Sequence, residues 1–121
     1  MATQDDVRRI ALGLPSTMED DRWFRFFVDG RQFAWVWPER VDPRKARLPN
    51  PEVLVVIVGD ESEKELLIGI DPTIFFTERH YDGYPAILVR LPAIDLELLR
   101  KVITDAWRSR APKRLASIAR D

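Results

Sequence analysis

The chain has 121 residues, of which 45% are apolar and 32% charged, and a chain of this size buries roughly two-thirds of its extended surface when it folds. We therefore expect one globular domain over residues 1–121 and exclude a disordered chain. Cysteine is absent, which excludes disulfides, a thiolate nucleophile and a cysteine metal site.

No apolar run approaches the roughly 20 residues that a membrane helix needs. The N-terminal stretch MATQDDVRR lacks the layout of a signal peptide, in which basic residues precede an apolar run. We expect a cytoplasmic protein with no membrane partner. The net charge of -1 gives no overall attraction to DNA, but charge is uneven along the chain, at net -3 over 1–21, +4 over 22–47, -6 over 48–89 and +4 over 90–121.

The N-terminal third predicts a helix and a hairpin. Residues 3–14 carry one apolar stripe, with Thr3 as the cap and Pro15 after the end. Residues 16–21 are interpreted as a polar connector. Strands at 23–28 and 32–37 follow, joined by Asp29-Gly30, which is the strongest short signal for a type I′ turn.

The middle of the chain predicts a loop, a strand and a helix. Residues 39–51 are rich in proline and arginine, which is typical of an irregular exposed loop. Val53 to Val58 are branched and apolar, as in a buried strand. Residues 60–68 predict a helix capped by Asp60 or Ser62, with Leu66 and Leu67 facing inward and Gly69 at its end.

The stretch Pro72 to Pro92 predicts a second hairpin, with strands at 73–77 and 84–91 around a turn at Asp82-Gly83. A helix from Asp95 to Arg110 comes next, and Pro112 starts a short turn with Leu115 and Ile118 as its apolar contacts. The element order predicts an α+β fold of two layers, in which one antiparallel sheet is covered by helices.

Several stretches resemble the MmcQ/YjbR family of small bacterial proteins, over nearly the whole chain. They are Leu14-Pro15, the Asp29-Gly30 turn, PTIFFTERHYDGYPAILVRL at 72–91 and TDAWRSRAPKRL at 104–115. The resemblance implies an α-β(3)-α-β(2)-α sandwich, similar to the frataxin-like and secretion-chaperone-like architectures. It also implies DNA binding, and it brings no catalytic residues.

Two basic stretches are candidates for nucleic-acid contacts, because basic side chains neutralise phosphates. If both lie on one surface, about eight positive charges act on one ligand. The tryptophans Trp23, Trp35 and Trp37 lie near basic residues and suit either base stacking or the core. The candidates are Arg40, Arg44, Lys45 and Arg47 in the loop, and Arg108, Arg110, Lys113 and Arg114 near the C-terminus.

A second candidate is a ligand loop formed by His80, Tyr81, Trp35 and Trp37. Glu78, His80 and Asp82 alternate, so they could converge on a metal ion; the alternative is that His80 and Tyr81 pack at the sheet edge. Phosphate-binding and nucleophile-elbow motifs are absent from the sequence, so we expect no enzyme and no cofactor. Three hypotheses stay open: a nucleic-acid-binding domain, a protein-interaction adaptor or homodimer, and a small-molecule or metal module at the His80 loop.

Overall fold

The structure, a computed structural model, describes residues 1–20 and 22–117. Its six strands form one antiparallel sheet in the order β1-β2-β3-β4-β6-β5, which confirms the predicted α+β class. The strands are β1 (Thr17–Asp20), β2 (Arg25–Val28), β3 (Arg31–Glu39), β4 (Leu48–Ile57), β5 (Phe75–Phe76) and β6 (Ala86–Arg90). The helices are α1 (Gln4–Leu12), α2 (Glu61–Ile70), α3 (Leu96–Arg110) and α4 (Lys113–Ala116).

Helices α1 and α3 form the second layer. Helix α3 packs on β3 and β4, and α1 packs on α3 and β1. Both begin where the sequence predicts, because Thr3 and Asp95 accept hydrogen bonds from backbone N–H groups of the first turn. The predicted stripe of α3 is buried, and Trp107 lies at its centre with no exposed surface. Its indole Nε1 donates to the Pro15 carbonyl at 3.0 Å.

The register of the strands defines the two faces of the sheet. Phe26 pairs with Glu19 and with Ala34, and Glu19 accepts hydrogen bonds from Arg8 of α1, so these residues mark the face under the helices. Trp35 follows Ala34, and successive side chains of a strand point to opposite faces. Trp35 therefore lies on the face away from α1 and α3.

The structure corrects the boundaries of three elements near the first hairpin. The predicted connector at 16–21 contains β1, an edge strand paired with β2. Strands β3 and β4 extend into the predicted 39–51 loop, and Pro38 lies opposite Pro49. The loop is thereby reduced to 40–47. A register shift between Val36 and Trp37 accommodates the proline-rich start of β4, where regular ladder hydrogen bonds are lost.

Helix α2 begins as predicted but buries a different face. Asp60 caps it, and the helix continues past Gly69 to Ile70. Leu66, predicted to face inward, is 61% exposed, whereas Lys64 is 3% exposed. Positions 64, 67 and 68 form the inward stripe. The prediction that Leu66 faces inward was therefore wrong, because the buried face of the helix is rotated by about one residue.

The predicted pairing within 72–92 is present, with β5 antiparallel to β6, but the strands are shorter than the predicted 73–77 and 84–91, because residues 77–85 form a connecting segment with a 3₁₀ turn. The Asp29-Gly30 turn also forms, since both residues have positive φ, at 51° and 77°. Leu115 packs against the core, and Ile118 lies outside the described residues. Within the described ranges, no helix is both long and apolar enough to cross a bilayer.

Candidate functional site

The segment between β5 and β6 lies over the sheet face that α1 and α3 leave open. It contains a 3₁₀ turn at Arg79–Tyr81, and Tyr81 is buried. Trp35 Nε1 donates to the Tyr81 hydroxyl at 3.3 Å, and the two rings are 6.4 Å apart. Burial raises the pKa of Tyr81, although the hydrogen bond from Trp35 acts in the opposite direction. Tyr81 is therefore a neutral, packed side chain.

Glu78 connects this segment to β3 and to the 40–47 loop. Its Oε1 accepts from Trp37 Nε1 at 3.2 Å and lies 3.5 Å from Arg47 Nη1. Arg47 also donates to the Pro38 carbonyl at 2.8 Å. The structure therefore unites Trp35, Trp37 and Tyr81 of the predicted ligand loop, but it uses their polar atoms to hold the segment on the sheet.

Lys64 is the residue at this site that sequence reasoning missed. Its Nζ donates to the Tyr81 carbonyl at 2.8 Å and to the Tyr84 carbonyl at 3.1 Å, and Glu61 lies 3.6 Å away. A buried ammonium is tolerated only when such partners replace water. Lys64 thus ties α2 to the 81–84 turn. A lysine three residues before Leu67 on an amphipathic helix was the signal available in the sequence.

His80 is exposed, and its ring meets Tyr81 edge to face at 4.9 Å. In the ranges 1–20 and 22–117, no group of three metal-ligating side chains comes together. Glu78, His80 and Asp82 therefore do not converge in this structure, because Glu78 turns toward Trp37. The alternative was that His80 and Tyr81 pack at the sheet edge. Tyr81 does so, whereas His80 contacts Tyr81 but stays exposed.

The basic side chains of the 40–47 loop divide between structural contacts and solvent. Arg40 Nη1 donates to the Lys45 carbonyl at 2.8 Å and to the Pro43 carbonyl at 3.4 Å. Arg44 lies 3.6 Å from Asp42, although its side chain is 90% exposed. Arg47 bonds to Pro38, so Arg40 and Arg47 have structural partners, whereas Arg44 is largely exposed. Lys45 is exposed.

The C-terminal basic residues meet the start of β3. Arg31 Nη1 donates to the Arg110 carbonyl at 3.4 Å, and Arg110 Nη2 donates to the Tyr84 hydroxyl at 3.3 Å. Lys113 and Arg114 are exposed just beyond. We call Arg31, Arg110, Lys113 and Arg114, with Tyr84 beside them, the basic end. Arg108 is half-buried and pairs with Asp105 at 3.4 Å, so it is left out of this group.

The two predicted basic stretches lie at opposite ends of the sheet. Arg31 begins β3 and contacts the C-terminus of α3, whereas the 40–47 loop follows Glu39 at the end of β3. At about 3.3 Å per residue, the strand separates them by roughly 25 Å. The single surface of eight basic residues, on which the nucleic-acid hypothesis depended, is therefore not formed.

The three tryptophans divide between the core and the surface. Trp37 is buried and Trp35 is half-buried beneath Tyr81, whereas Trp23 is 54% exposed and carries Arg22 at 5.1 Å from its ring. Two of the three are thus explained by packing. Trp23 lies in the turn between β1 and β2, away from the basic end.

One antiparallel sheet with helices packed on one face, and a polar and aromatic segment over the other, defines a two-layer α+β domain. The YjbR family model matches residues 12–109, so the chain belongs to the YjbR family. Uncharacterised proteins of Mycobacterium bovis and Mycobacterium tuberculosis are each 42% identical to it over 95% of this chain and 93% of theirs. The crystal structure of Deinococcus radiodurans protein DR2400, a DUF419 domain, is similar in fold, with a TM-score of 0.69, 22% identity, and coverage of 98% of this chain and 88% of that one.

Proposed function

We propose that this YjbR-family protein is a non-catalytic binding domain that contacts nucleic acid through the basic end alone. The contact that carries the proposal is Arg110, which joins Arg31 to the hydroxyl of Tyr84. Cationic side chains beside an exposed aromatic ring suit phosphates and an unpaired base. Tyr84 is 43% exposed, so its ring is accessible for stacking.

The charges around the basic end limit the size of the footprint. Glu61 of α2 lies beside Lys64, which in turn binds the Tyr84 carbonyl. This carboxylate borders the basic end and disfavours a longer phosphate track. A contact with few phosphates is the consequence, and it gives weak binding with a shallow salt dependence rather than tight sequence recognition.

Salt dependence measures the number of phosphates contacted. With four cations, the slope of log K against log salt is about -3.6 for duplex DNA and about -2.8 for a single strand, against about -7.2 for duplex if all eight predicted residues took part. Fluorescence anisotropy with labelled single- and double-stranded oligonucleotides gives this slope. Absence of binding at low salt would reject the proposal.

A pair of matched variants locates the contact. Lys113→Gln with Arg114→Gln removes two exposed cations at the basic end, and the slope for duplex DNA should become shallower by about 1.8. Arg44→Gln with Lys45→Gln removes the same charge at the opposite end of the sheet and should leave the slope unchanged. Equal effects of both pairs would mean that only net charge matters, and the basic end would lose its role.

A second candidate function is self-association through β1, and one observation favours it. The strand is an edge of the sheet, and its Met18 is 72% exposed. Unpaired backbone groups at an edge can pair with another strand, and an exposed apolar side chain adds contact area. This surface suits the adaptor or homodimer hypothesis, with a second copy of the chain as the partner.

Sedimentation velocity distinguishes this candidate. The protein should sediment as a dimer, and Met18→Lys should convert it to a monomer, because a charge at the edge opposes pairing. Leu66→Lys is the control, since Leu66 is similarly exposed, at 61%, but lies on α2. A monomer at every concentration would remove the second candidate without affecting the first.

A further inference from the structure

A cleft of about 540 Å³ opens where β3 ends and β6 ends, away from the basic end. Its volume lies within the range of small-molecule sites, roughly 300 to 1,000 Å³. The side chains that decide its chemistry are Trp37, Phe76, Arg90, Glu39, Glu52 and Asn50.

An aromatic wall closes one side of the cleft. The rings of Trp37 and Phe76 meet edge to face at 5.6 Å, above the apolar side chain of Val53. The bond from Trp37 to Glu78 fixes the indole, and pairing of β5 with β6 fixes Phe76. This wall is preformed, so an apolar body can pack on it at little ordering cost.

Arg90 presents a positioned cation to the cleft. Its guanidinium carbon lies 3.9 Å from the centroid of Phe76, and its Nη1 donates to the carbonyls of Pro72 at 3.1 Å and Thr73 at 3.4 Å. Among the described residues no carboxylate pairs with it. Its remaining N–H donors suit a carboxylate of a ligand.

Two carboxylates line the cleft together with Arg90. Glu39 Oε1 accepts from Asn50 Nδ2 at 3.1 Å, and the Glu52 backbone N–H donates to Asn50 Oδ1 at 3.0 Å. In the described part of the chain, neither carboxylate forms an ion pair. Asn50 therefore holds the Glu39 carboxylate, whereas the Glu52 side chain is exposed at the rim, and both carboxylates can accept from an ammonium group.

The lining residues fix the charge of a matching ligand. One cation and two anions give the cleft a net charge of -1, which opposes phosphates and other polyanions. A ligand that satisfies Arg90 and the glutamates together carries both a carboxylate and an ammonium group. We infer that the cleft binds a free α-amino acid with an aromatic or large aliphatic side chain, which packs on Trp37 and Phe76.

Isothermal titration calorimetry with phenylalanine tests this inference. Phenylacetate lacks the ammonium group and phenethylamine lacks the carboxylate, so each should bind at least about tenfold more weakly. N-acetylphenylalanine amide distinguishes a peptide ligand from a free amino acid, and binding of this probe as tight as that of phenylalanine would overturn the free amino acid. No heat with phenylalanine, leucine or tryptophan at millimolar concentration would overturn the inference as a whole.

Variants assign the binding to the cleft. Glu52→Gln changes an exposed side chain and should weaken phenylalanine about tenfold without weakening phenylacetate. Arg90→Gln should weaken phenylalanine and phenylacetate alike. Glu65→Gln, an exposed carboxylate on α2, should change neither. An unaltered affinity in Glu52→Gln and Arg90→Gln would place the ligand elsewhere. The Lys113 and Arg114 variants test only the nucleic-acid proposal, so failure of one proposal can be distinguished from failure of the other.

Discussion

Replacing Trp107 by Phe tests the packing of α3 beneath the turn that joins α1 to β1. The indole is fully buried and its N–H donates to Pro15. Removing about 40 Å³ from a core costs roughly 1 kcal/mol at about 24 cal/mol per Å³. The lost hydrogen bond adds about 1 kcal/mol. The Pro15 carbonyl keeps the Thr17 hydroxyl at 3.5 Å as a weak donor, so the total stays near 2 kcal/mol.

Thermal unfolding converts this energy into a temperature. At about 2.1 cal/mol/K per residue, the unfolding entropy of this chain is roughly 0.25 kcal/mol/K, so about 2 kcal/mol lowers Tm by about 8 °C. Trp23→Phe is the matched control, because Trp23 is exposed and the change should stay within about 0.5 kcal/mol. Equal shifts in the two variants would refute the assignment of Trp107 to the centre of the core.

Two further predictions concern the segment over the open face. Burial raises the pKa of Tyr81 above the ordinary 10.0, so above that pH the unfolded chain releases a proton that the folded chain keeps. The free energy of unfolding therefore falls as pH rises through the folded pKa. Tyr81→Phe should flatten this alkaline loss in urea titrations, and an unchanged pH profile would contradict the prediction. Lys64→Met keeps the side-chain volume and removes both the buried charge and its two hydrogen bonds, and these two contributions to the free energy of unfolding largely cancel. Lys64→Ala also leaves a cavity and should cost roughly 2 kcal/mol more. Equal free energies of unfolding for the two variants would contradict this prediction.

The sequence predicts best those elements whose signal is local. The caps Thr3 and Asp95 and the Asp29-Gly30 turn appear as predicted, because each depends on a side chain and on backbone angles within a few residues. The stripe around Trp107 is also local, since the helical period alone assigns it to the core.

The features that were missed depend on tertiary partners. Strand β1 has a polar sequence and exists because β2 offers it an edge, which composition cannot show. Lys64 is buried because carbonyls of a distant turn receive its ammonium. The separation of the two basic stretches follows from the direction of β3, and a count of charges along the chain contains no information about direction.

The candidate cleft was only partly accessible from sequence. Trp37 was named for its aromatic character, but Phe76 and Arg90 come from two other strands, and the register of β5 and β6 sets their contact. Asn50 aligns with Trp37 only because β3 and β4 shift register there. Such an arrangement needs the pairing of every strand between them.

The two borders of the sheet are unequal, since β1 has four residues and β5 has two. A two-fold contact consumes the same strand in both copies, so joining through β1 would leave only the short β5 at each outer margin. So brief a strand is a poor template for further addition. Assembly of this chain would therefore stop at a closed pair and would not propagate into a fibre.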